Sequence, residues 1–219
     1  QAIKAGRKMQ TRRVIKSRYE SGMFQVSKTL DGIVTGITSI DWDERPKNDV
    51  TNDIKPIAVA GDILWVRETW TDPTPVKSGW PILYQADFPM VYHGTQWDPN
   101  EVITLKAEDY NWKPSIFMPK EAARMFLKVT NVRAERLQDI SEDDAIAEGI
   151  KISNSGKRYF NYTPRYSEVT QFVYDCHTAK ESFKTLWQSI NGRESWEANP
   201  WVWVYEFEQI DKPKDFGNE

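Results

Sequence analysis

A glycine, a lysine and a threonine lie close together near the start of the chain, in Gly6–Arg13, which reads Gly-Arg-Lys-Met-Gln-Thr-Arg-Arg. If the chain turns after Gly6, the amine of Lys8 can take the proton of the Thr11 hydroxyl, and the hydroxyl can attack a carbonyl carbon. In a regular strand these two side chains would point to opposite faces, so this chemistry requires an irregular segment. The spacing predicts a nucleophile and its base.

Positive charge is concentrated around this motif. The first eighteen residues carry seven cations and no acid; of 29 basic residues in the chain, 22 are therefore left to oppose 32 acidic ones elsewhere. A local basic patch on an acidic chain indicates recognition of one phosphate or small anion, because bulk nucleic-acid affinity needs an extended basic face. We expect Arg7 and Arg13 to contact substrate, with Arg13 on the same strand face as Thr11 and Arg12 facing the other way. A solvated charged surface is the alternative interpretation.

A carboxylate from a distant part of the chain is the third candidate. The segment Ser141–Gly149 predicts a short helix that begins with a capping box and ends at glycine, with Glu148 as its last residue. A carboxylate there faces the negative end of the helix dipole, so a cation such as Lys8 would stabilise it. An ordinary exposed glutamate is the alternative.

Further polar candidates follow a predicted turn at Gly61-Asp62. Trp65, Arg67 and Glu68 belong to the strand pattern after that turn, and they are candidates for the mouth of a substrate pocket. A cross-strand ion pair involving Arg67 and Glu68 is an equally good interpretation.

The wider pattern predicts an α+β fold, a small β-barrel of five or six strands with two or three short helices outside it. A second capping box at Thr178 begins a helix that ends at Asn191-Gly192, and its apolar stripe is expected to pack on the core: Phe183, Leu186, Trp187 and Ile190. We expect a single domain over residues 1–219, with long insertions at about 41–60, 71–120 and 151–177. Strands are predicted at 10–16, 33–40, 81–86, 124–137 and 201–207, together with the strand after Gly61. The strand at 201–207 is apolar on both faces, which predicts a buried central strand.

The composition excludes several classes of protein. Cys176 is the only cysteine, and His93 and His177 are the only histidines, so we expect neither a disulfide nor a zinc site. No apolar run approaches a membrane span, and no signal-like segment is present. We expect a cytoplasmic protein with no metal and no cofactor, and a segment preceding Gln1, because the chain does not start with methionine.

These motifs together resemble the ASCH domain family, whose members are related to the PUA RNA-binding barrel. The resemblance covers about half of the chain, and the motifs follow one another in a similar order to those of the family. More narrowly, the chain resembles the larger ASCH proteins that phages and prophages often encode. The residues that carry it are Ala5–Arg13, Gly61–Val66, Arg124–Leu137 and Ser141–Gly149, with Thr-Arg-Arg-Val, Trp-Val-Arg-Glu-Thr-Trp and Asn-Pro-Trp-Val-Trp-Val.

The resemblance implies an activity as well as a PUA-like fold. One bacterial branch of the family hydrolyses N4-acetylcytidine to cytidine and acetate, and its lysine, threonine and glutamate match Lys8, Thr11 and Glu148. The common family pattern has glutamate where Thr11 stands, so threonine favours the hydrolase branch. This chain is about twice as long as those enzymes.

Two other functions remain open at this point. A non-catalytic module could bind RNA or a modified nucleoside in the same cleft, with the N-terminal cations on phosphate and Trp65, Trp70 or Trp112 stacked on a base. In a phage structural or host-interaction protein, the insertions would instead be the working part.

Overall fold

The computed structural model describes residues 2–16, 23–28, 34–40, 54–72, 82–93, 102–162 and 174–216. These residues form a mixed α/β fold of antiparallel sheets with few helices. The chain groups into two compact units. Unit 1 comprises residues 64–127 and the residues from 210 onward, and unit 2 comprises residues 2–63 and 128–209.

The described residues contain twelve strands, two α-helices and six short 3-10 helices. In chain order the strands are β1 (Gln10–Val14), β2 (Met23–Lys28), β3 (Val34–Ile40), β4 (Ile63–Trp65), β5 (Trp70–Thr71), β6 (Leu83–Tyr84), β7 (Met90–His93), β8 (Val102–Leu105), β9 (Phe126–Arg136), β10 (Tyr159–Phe160), β11 (Tyr174–Cys176) and β12 (Trp201–Ile210). The α-helices are α1 (Glu142–Ala147) and α2 (Ala179–Asn191). The 3-10 helices are Gln85–Asp87, Ala107–Asp109, Ser115–Phe117, Lys120–Ala122, Leu137–Asp139 and Arg193–Ser195.

The largest sheet has the strand order β1-β12-β9-β4. Strand β12 is central, as its apolar pattern on both faces predicts. Strand β1 runs antiparallel to it, with Gln10 opposite Glu206 and Val14 opposite Val202. Strand β1 therefore stands at one end of this order, beside α1 and α2 of unit 2.

Both α-helices form where the sequence predicts them, but only the second has the full predicted capping box. The Ser141 hydroxyl accepts a hydrogen bond from the Asp144 N–H, and the chain leaves α1 through Gly149, which has a φ of 86°. Thr178 and Glu181 form the capping box of α2. The helices also contact each other, because the Glu142 carboxylate accepts the N–H of Ala179 at 2.6 Å.

Helix α2 covers the main core of unit 2. Its apolar positions recur at helical spacing, so they form a stripe that packs against β12 and the segment around α1. The fully or nearly fully buried members of this core are Leu137, Ile140, Ala145, Ile150, Ala179, Phe183, Trp187, Trp196, Val202 and Val204.

Unit 1 has a core of its own. Met118, Ala122, Ala123 and Phe126 are buried, and Trp65, Trp70, Ile82, Tyr84, Ile210 and Phe216 pack against them. Its other strands form two antiparallel pairs, β5 with β6 and β7 with β8.

The strand number predicted from the sequence was too low. The described residues form twelve strands rather than five or six, because many are pairs of two to four residues that are too short to give a periodic pattern. Part of the insertion predicted at 71–120 consists of these short strands. Most of the predicted 41–60 insertion and Arg18 of the basic patch lie outside the described residues, and so do residues 163–173. The helices that are described are all too short or too polar to cross a membrane.

Candidate functional site

A pocket of about 330 Å³ lies in unit 2 between β1, the end of α1 and the outer part of α2. This volume is within the range of small-molecule sites. Its lining combines cationic and polar side chains with the apolar side of a helix: Lys8, Thr11, Arg12, Arg13, Val14, Lys16, Glu148, Phe183, Leu186, Trp187, Ile190 and Asn191. The three residues that we predicted as catalytic, Lys8, Thr11 and Glu148, all line it.

Lys8 and Glu148 are in direct contact. The Lys8 Nζ lies 2.6 Å from Oε2 of Glu148 and also donates to the backbone oxygen of Glu148 at 3.1 Å. Glu148 is buried, with a side chain 4% exposed, whereas the Lys8 side chain is 22% exposed. The pair therefore has its carboxylate inside the protein and its amine towards the pocket.

The backbone brings these two residues together. Lys8 and Glu148 form an isolated antiparallel bridge, and the Met9 N–H donates to the Ala147 oxygen at 2.8 Å. Gly149 makes this approach possible, because a Cβ atom there would lie 2.8 Å from the Lys8 Cβ. Its φ of 86° also favours glycine. Glu148 follows Ala147, the last residue of α1, and caps the helix, so the helix ends one residue earlier than predicted.

Thr11 reaches the same pocket from β1. It pairs with Tyr205 of β12 and is half-buried. In the described part of the chain no strand pairs with the other side of β1, so the pocket beside it meets side chains from both strand faces. Among the described residues, the Thr11 hydroxyl has no hydrogen-bond partner, which leaves it available to a ligand.

Arg12 is the buried cation of the site. Its side chain is fully buried, and its Nη1 donates to Oε1 of Glu148 at 3.0 Å. Its Nη2 donates to Glu135 at 2.7 Å and to Asp144 at 3.2 Å. The guanidinium also lies 5.6 Å from the ring centre of Phe183, within the range of a cation–π contact.

The network continues beneath Arg12 through β9 and β12. Arg133 donates to Glu135 at 3.1 Å and to Asp144 at 2.8 Å, and it also pairs with Glu206. With Lys8 and Glu148 included, three cations face four carboxylates. Gln10 joins them, since its amide donates to Asp144 at 2.7 Å and its oxygen accepts from Arg12 at 3.1 Å.

Two groups in this network have shifted pKa values. Burial disfavours the ionised form of Asp144, but a hydrogen bond from Gln10 and the charges of Arg133 and Arg12 outweigh it and lower the pKa of Asp144. Burial likewise disfavours the charged form of Arg133. The charges of Glu135 and Asp144, with further contributions from hydrogen bonding and Glu206, outweigh that effect and raise the pKa of Arg133.

The other cations near β1 face solvent. Arg13 lines the pocket and is exposed, and its Nη1 donates to the Arg12 carbonyl at 3.3 Å. Lys16 lines the pocket too and is also exposed. Arg7 is exposed in the turn after Gly6, where its N–H donates to the Ala2 oxygen, and it is not among the pocket residues. Gly6 has the positive φ, 67°, that the sequence predicts for this turn.

Helix α2 supplies the apolar wall of the pocket. Phe183 and Trp187 are buried at its base, and Ile190, 71% exposed, stands at its rim. The indole N–H of Trp187 is buried without a hydrogen-bond partner in the described part of the protein. The sequence predicts this stripe only as core packing, and its outer end lines the pocket as well.

The predicted pocket-mouth residues Trp65, Arg67 and Glu68 belong to unit 1. Glu68 is buried, and both of its oxygens accept from Arg124, at 2.7 and 2.8 Å. Arg67 is exposed and stacks over Trp65 at 4.9 Å. These residues are absent from the lining of the unit 2 pocket, and their role in substrate binding stays a prediction.

The other aromatic candidates are also in unit 1. Trp112 contacts Phe88 and Tyr110, with ring centres 5.1 and 5.8 Å away, and its indole N–H donates to the Ala107 oxygen. Trp70 packs against the unit 1 core.

The sequence reasoning missed the buried Arg12, because it assigned the substrate face to Arg13 and turned Arg12 to the other face. Gln10 and Arg12 lie two residues apart on one face of β1, and Arg133 and Glu135 lie two residues apart on one face of β9. This period-two spacing of polar residues on the two strands that flank β12 was the available signal. A hydropathy profile does not reveal which polar residues are buried, because a polar residue has the same hydropathy value whether it is buried or exposed.

Other chemistry has less support in the described segments. Among them, His, Cys, Asp and Glu side chains form no group of three or more placed to hold a metal ion. Burial raises the pKa of the Cys176 thiol to about 11, so it is protonated at neutral pH.

Comparisons with protein-family models, curated proteins and solved structures find no match to this chain.

Proposed function

We propose that this protein is an amidohydrolase of ASCH type, with a PUA-like barrel, that removes an acyl group from a modified nucleoside such as N4-acetylcytidine. The observation that carries the proposal is that Lys8, Thr11 and Glu148 line one pocket. An amine, a hydroxyl and a carboxylate from separate parts of the chain have the types that activate an oxygen nucleophile. The pocket volume of about 330 Å³ suits a ligand of nucleoside size.

The reaction has two steps. Lys8 takes the proton of the Thr11 hydroxyl as the oxygen bonds to the acyl carbon, and the carbon–nitrogen bond then breaks as the leaving nitrogen takes that proton. Water attacks the resulting ester, releases the carboxylic acid and restores Thr11. Glu148 orients the Lys8 amine and relays protons, and Arg13 is the cation available for the developing oxyanion.

Substitution of the three residues tests the proposal. Purified protein is incubated with acylated nucleosides, and the deacylated product is measured by chromatography. We expect Lys8→Met, Thr11→Val and Glu148→Gln each to lower kcat by about 100-fold or more, because each removes a group that takes part in proton transfer or bond formation. Thr11→Ser keeps a hydroxyl and should keep measurable turnover.

Two exposed positions on β9 give matched controls, Lys128→Met and Thr130→Val. Both variants make the same chemical change at a solvent-facing strand position, so both should deacylate the substrate at the wild-type rate. Wild-type rates in Lys8→Met or Thr11→Val, with the fold intact by circular dichroism, would reject the mechanism.

A non-catalytic binder of RNA or a modified nucleoside is the second candidate. It is favoured by the exposed Arg13 and Lys16 beside the apolar wall of α2, a combination that suits a phosphate and a base. Binding of a short RNA, measured by fluorescence anisotropy across salt concentrations, separates the two. Salt-sensitive binding that Thr11→Val leaves unchanged, without deacylation, would favour the binder.

A further inference from the structure

The most densely bonded side chain at the pocket is Arg12, which the proposed reaction does not use. It has no exposed surface and donates hydrogen bonds to three carboxylates and one amide. A buried arginine with this many partners is held in one geometry, and it holds its partners in turn. One of those partners is Glu148.

Glu148 is shared between two cations through different oxygens. Its Oε1 accepts from Arg12 at 3.0 Å, and its Oε2 accepts from Lys8 at 2.6 Å. The carboxylate plane is therefore fixed from the buried side by Arg12, and the remaining oxygen is presented to the Lys8 amine.

We propose that Arg12 is a positioning residue that orients the Lys8 amine towards the pocket by fixing the Glu148 carboxylate. For its effect on turnover, this inference rests on the proposed function. The orientation of Lys8 does not depend on any reaction, so it can be measured separately. Arg12 itself lines the pocket wall, but the contacts that define its role are to protein groups.

The role requires arginine rather than a positive charge alone. The guanidinium reaches Glu148 with Nη1 and reaches Glu135 and Asp144 with Nη2, in one plane. A lysine ammonium is a single charged point, so it cannot hold all three carboxylates in this arrangement. With lysine at this position, Glu148 loses its fixed plane while the net charge of the network stays the same.

Arg133 provides a matched control. It has the same side chain, is partly buried and contacts Glu135 and Asp144, but its described hydrogen bonds do not include Glu148. Arg133→Lys therefore disturbs the same network while leaving the Arg12–Glu148 contact in place. It separates positioning of Glu148 from general support of the fold.

The first measurement is the reactivity of the Lys8 amine. Full-length wild type, Arg12→Lys, Arg133→Lys and Glu148→Gln are treated with a limiting amine-acylating reagent over a range of pH, and labelling at Lys8 is followed by peptide mass spectrometry. We expect the pH profile of Lys8 labelling in Arg12→Lys to move in the same direction as in Glu148→Gln. Arg133→Lys should keep the wild-type profile. A wild-type profile in Arg12→Lys would overturn the inference.

The second measurement uses turnover and a double-mutant cycle. If Arg12 acts through Glu148, Arg12→Lys should lower kcat by roughly 100-fold with little change in KM, as expected for a misplaced catalytic group. In the Glu148→Gln background it should cause almost no further loss. If the fold-losses in kcat of the two single variants multiply in the double variant, Arg12 acts independently of Glu148, and the proposal is overturned.

The outcomes distinguish failure of this inference from failure of the proposed function. If wild-type protein deacylates nothing, the labelling profiles still decide whether Arg12 positions Lys8. If Arg12→Lys does not fold, the side-chain N–H signals of Arg12 are followed by NMR in the wild type and in Glu148→Gln. A selective shift of those signals supports the contact, and an unchanged spectrum rejects it.

Discussion

At the scale of single residues, the site is a set of charges that neutralise one another inside the protein. Removing ions from water is costly, so buried charges persist only when they are paired and hydrogen-bonded. Arg12, Glu148 and Asp144 meet this condition through several partners each. Lys8 differs, because it faces the pocket while its carboxylate partner is buried. It is the most exposed of the three network members that line the pocket, the other two being Arg12 and Glu148.

The lowered pKa of Asp144 predicts acid sensitivity. In an unfolded chain an aspartate has a pKa of about 3.9, and in the folded protein the pKa of Asp144 lies below its ordinary value. Its contribution to stability is thus complete above the unfolded value and is lost as the pH falls through the folded value. We expect the difference in unfolding free energy between wild type and Asp144→Asn to be largest near neutral pH and to shrink below about pH 4.

Urea unfolding at pH values from neutral to acidic measures this difference. Asp143→Asn is the matched control, because Asp143 lies in the same first turn of α1 but is exposed. Its difference from wild type should stay small at every pH. A pH-independent difference for Asp144→Asn would show that the network does not stabilise its ionised form.

At the scale of elements, the sequence predicts what local rules control. The capping box of α2, the capping role of Ser141 in α1, the glycine after each helix and the inner position of β12 are confirmed. Each depends on residues that are neighbours in the chain, through hydrogen bonds or apolar periodicity. The reciprocal half of the capping box predicted for α1 does not form.

Local rules did not determine which face of β1 is buried against the site. The sequence interpretation places Arg13 with Thr11 on the functional face and Arg12 on the other face, whereas Arg12 is buried and contacts Glu148. Its burial is compensated by carboxylates more than 120 residues away, on β9 and α1. No local pattern around β1 contains that information, because the compensating charges are non-local.

Gly149 is the element-scale feature that joins α1 to the start of the chain. Alanine there would have to adopt a φ of 86°, and its Cβ would lie 2.8 Å from the Lys8 Cβ. We expect Gly149→Ala to reduce the free energy of unfolding by more than the roughly 1–2 kcal/mol that a left-handed residue costs by itself. It should also lower turnover, because Lys8 must move away from Glu148.

Gly156→Ala isolates the backbone contribution. Gly156 also has a positive φ, 69°, but a Cβ atom there would meet nothing within 4 Å. Chemical denaturation and kinetics of the two variants can be compared directly. Equal losses of stability with unchanged turnover in both would mean that close approach at Gly149 is not needed to place Lys8.

At the scale of the whole molecule, the chain has two compact units with separate cores, and the described pocket lining belongs entirely to unit 2. The residues that carry the ASCH resemblance occur in both units, since Trp65, Arg67 and Glu68 are in unit 1. The sequence analysis expects them at the same substrate site as Lys8 and Thr11. The order of motifs along the chain does not show which compact unit contains each motif.

Glu68 gives the sharpest test at this scale. Its carboxylate is buried and accepts two hydrogen bonds from Arg124, which also pairs with Asp87, and these contacts raise the pKa of Arg124. Glu68→Gln leaves a guanidinium N–H without its charged acceptor, so unit 1 should lose roughly 1–3 kcal/mol of stability. Hydrogen exchange should accelerate in residues 102–127, while α1, α2 and kcat stay as in the wild type, because local stability follows the core to which a segment belongs. A fall in kcat/KM with unchanged exchange in unit 1 would instead place Glu68 against the substrate, as the sequence first suggested.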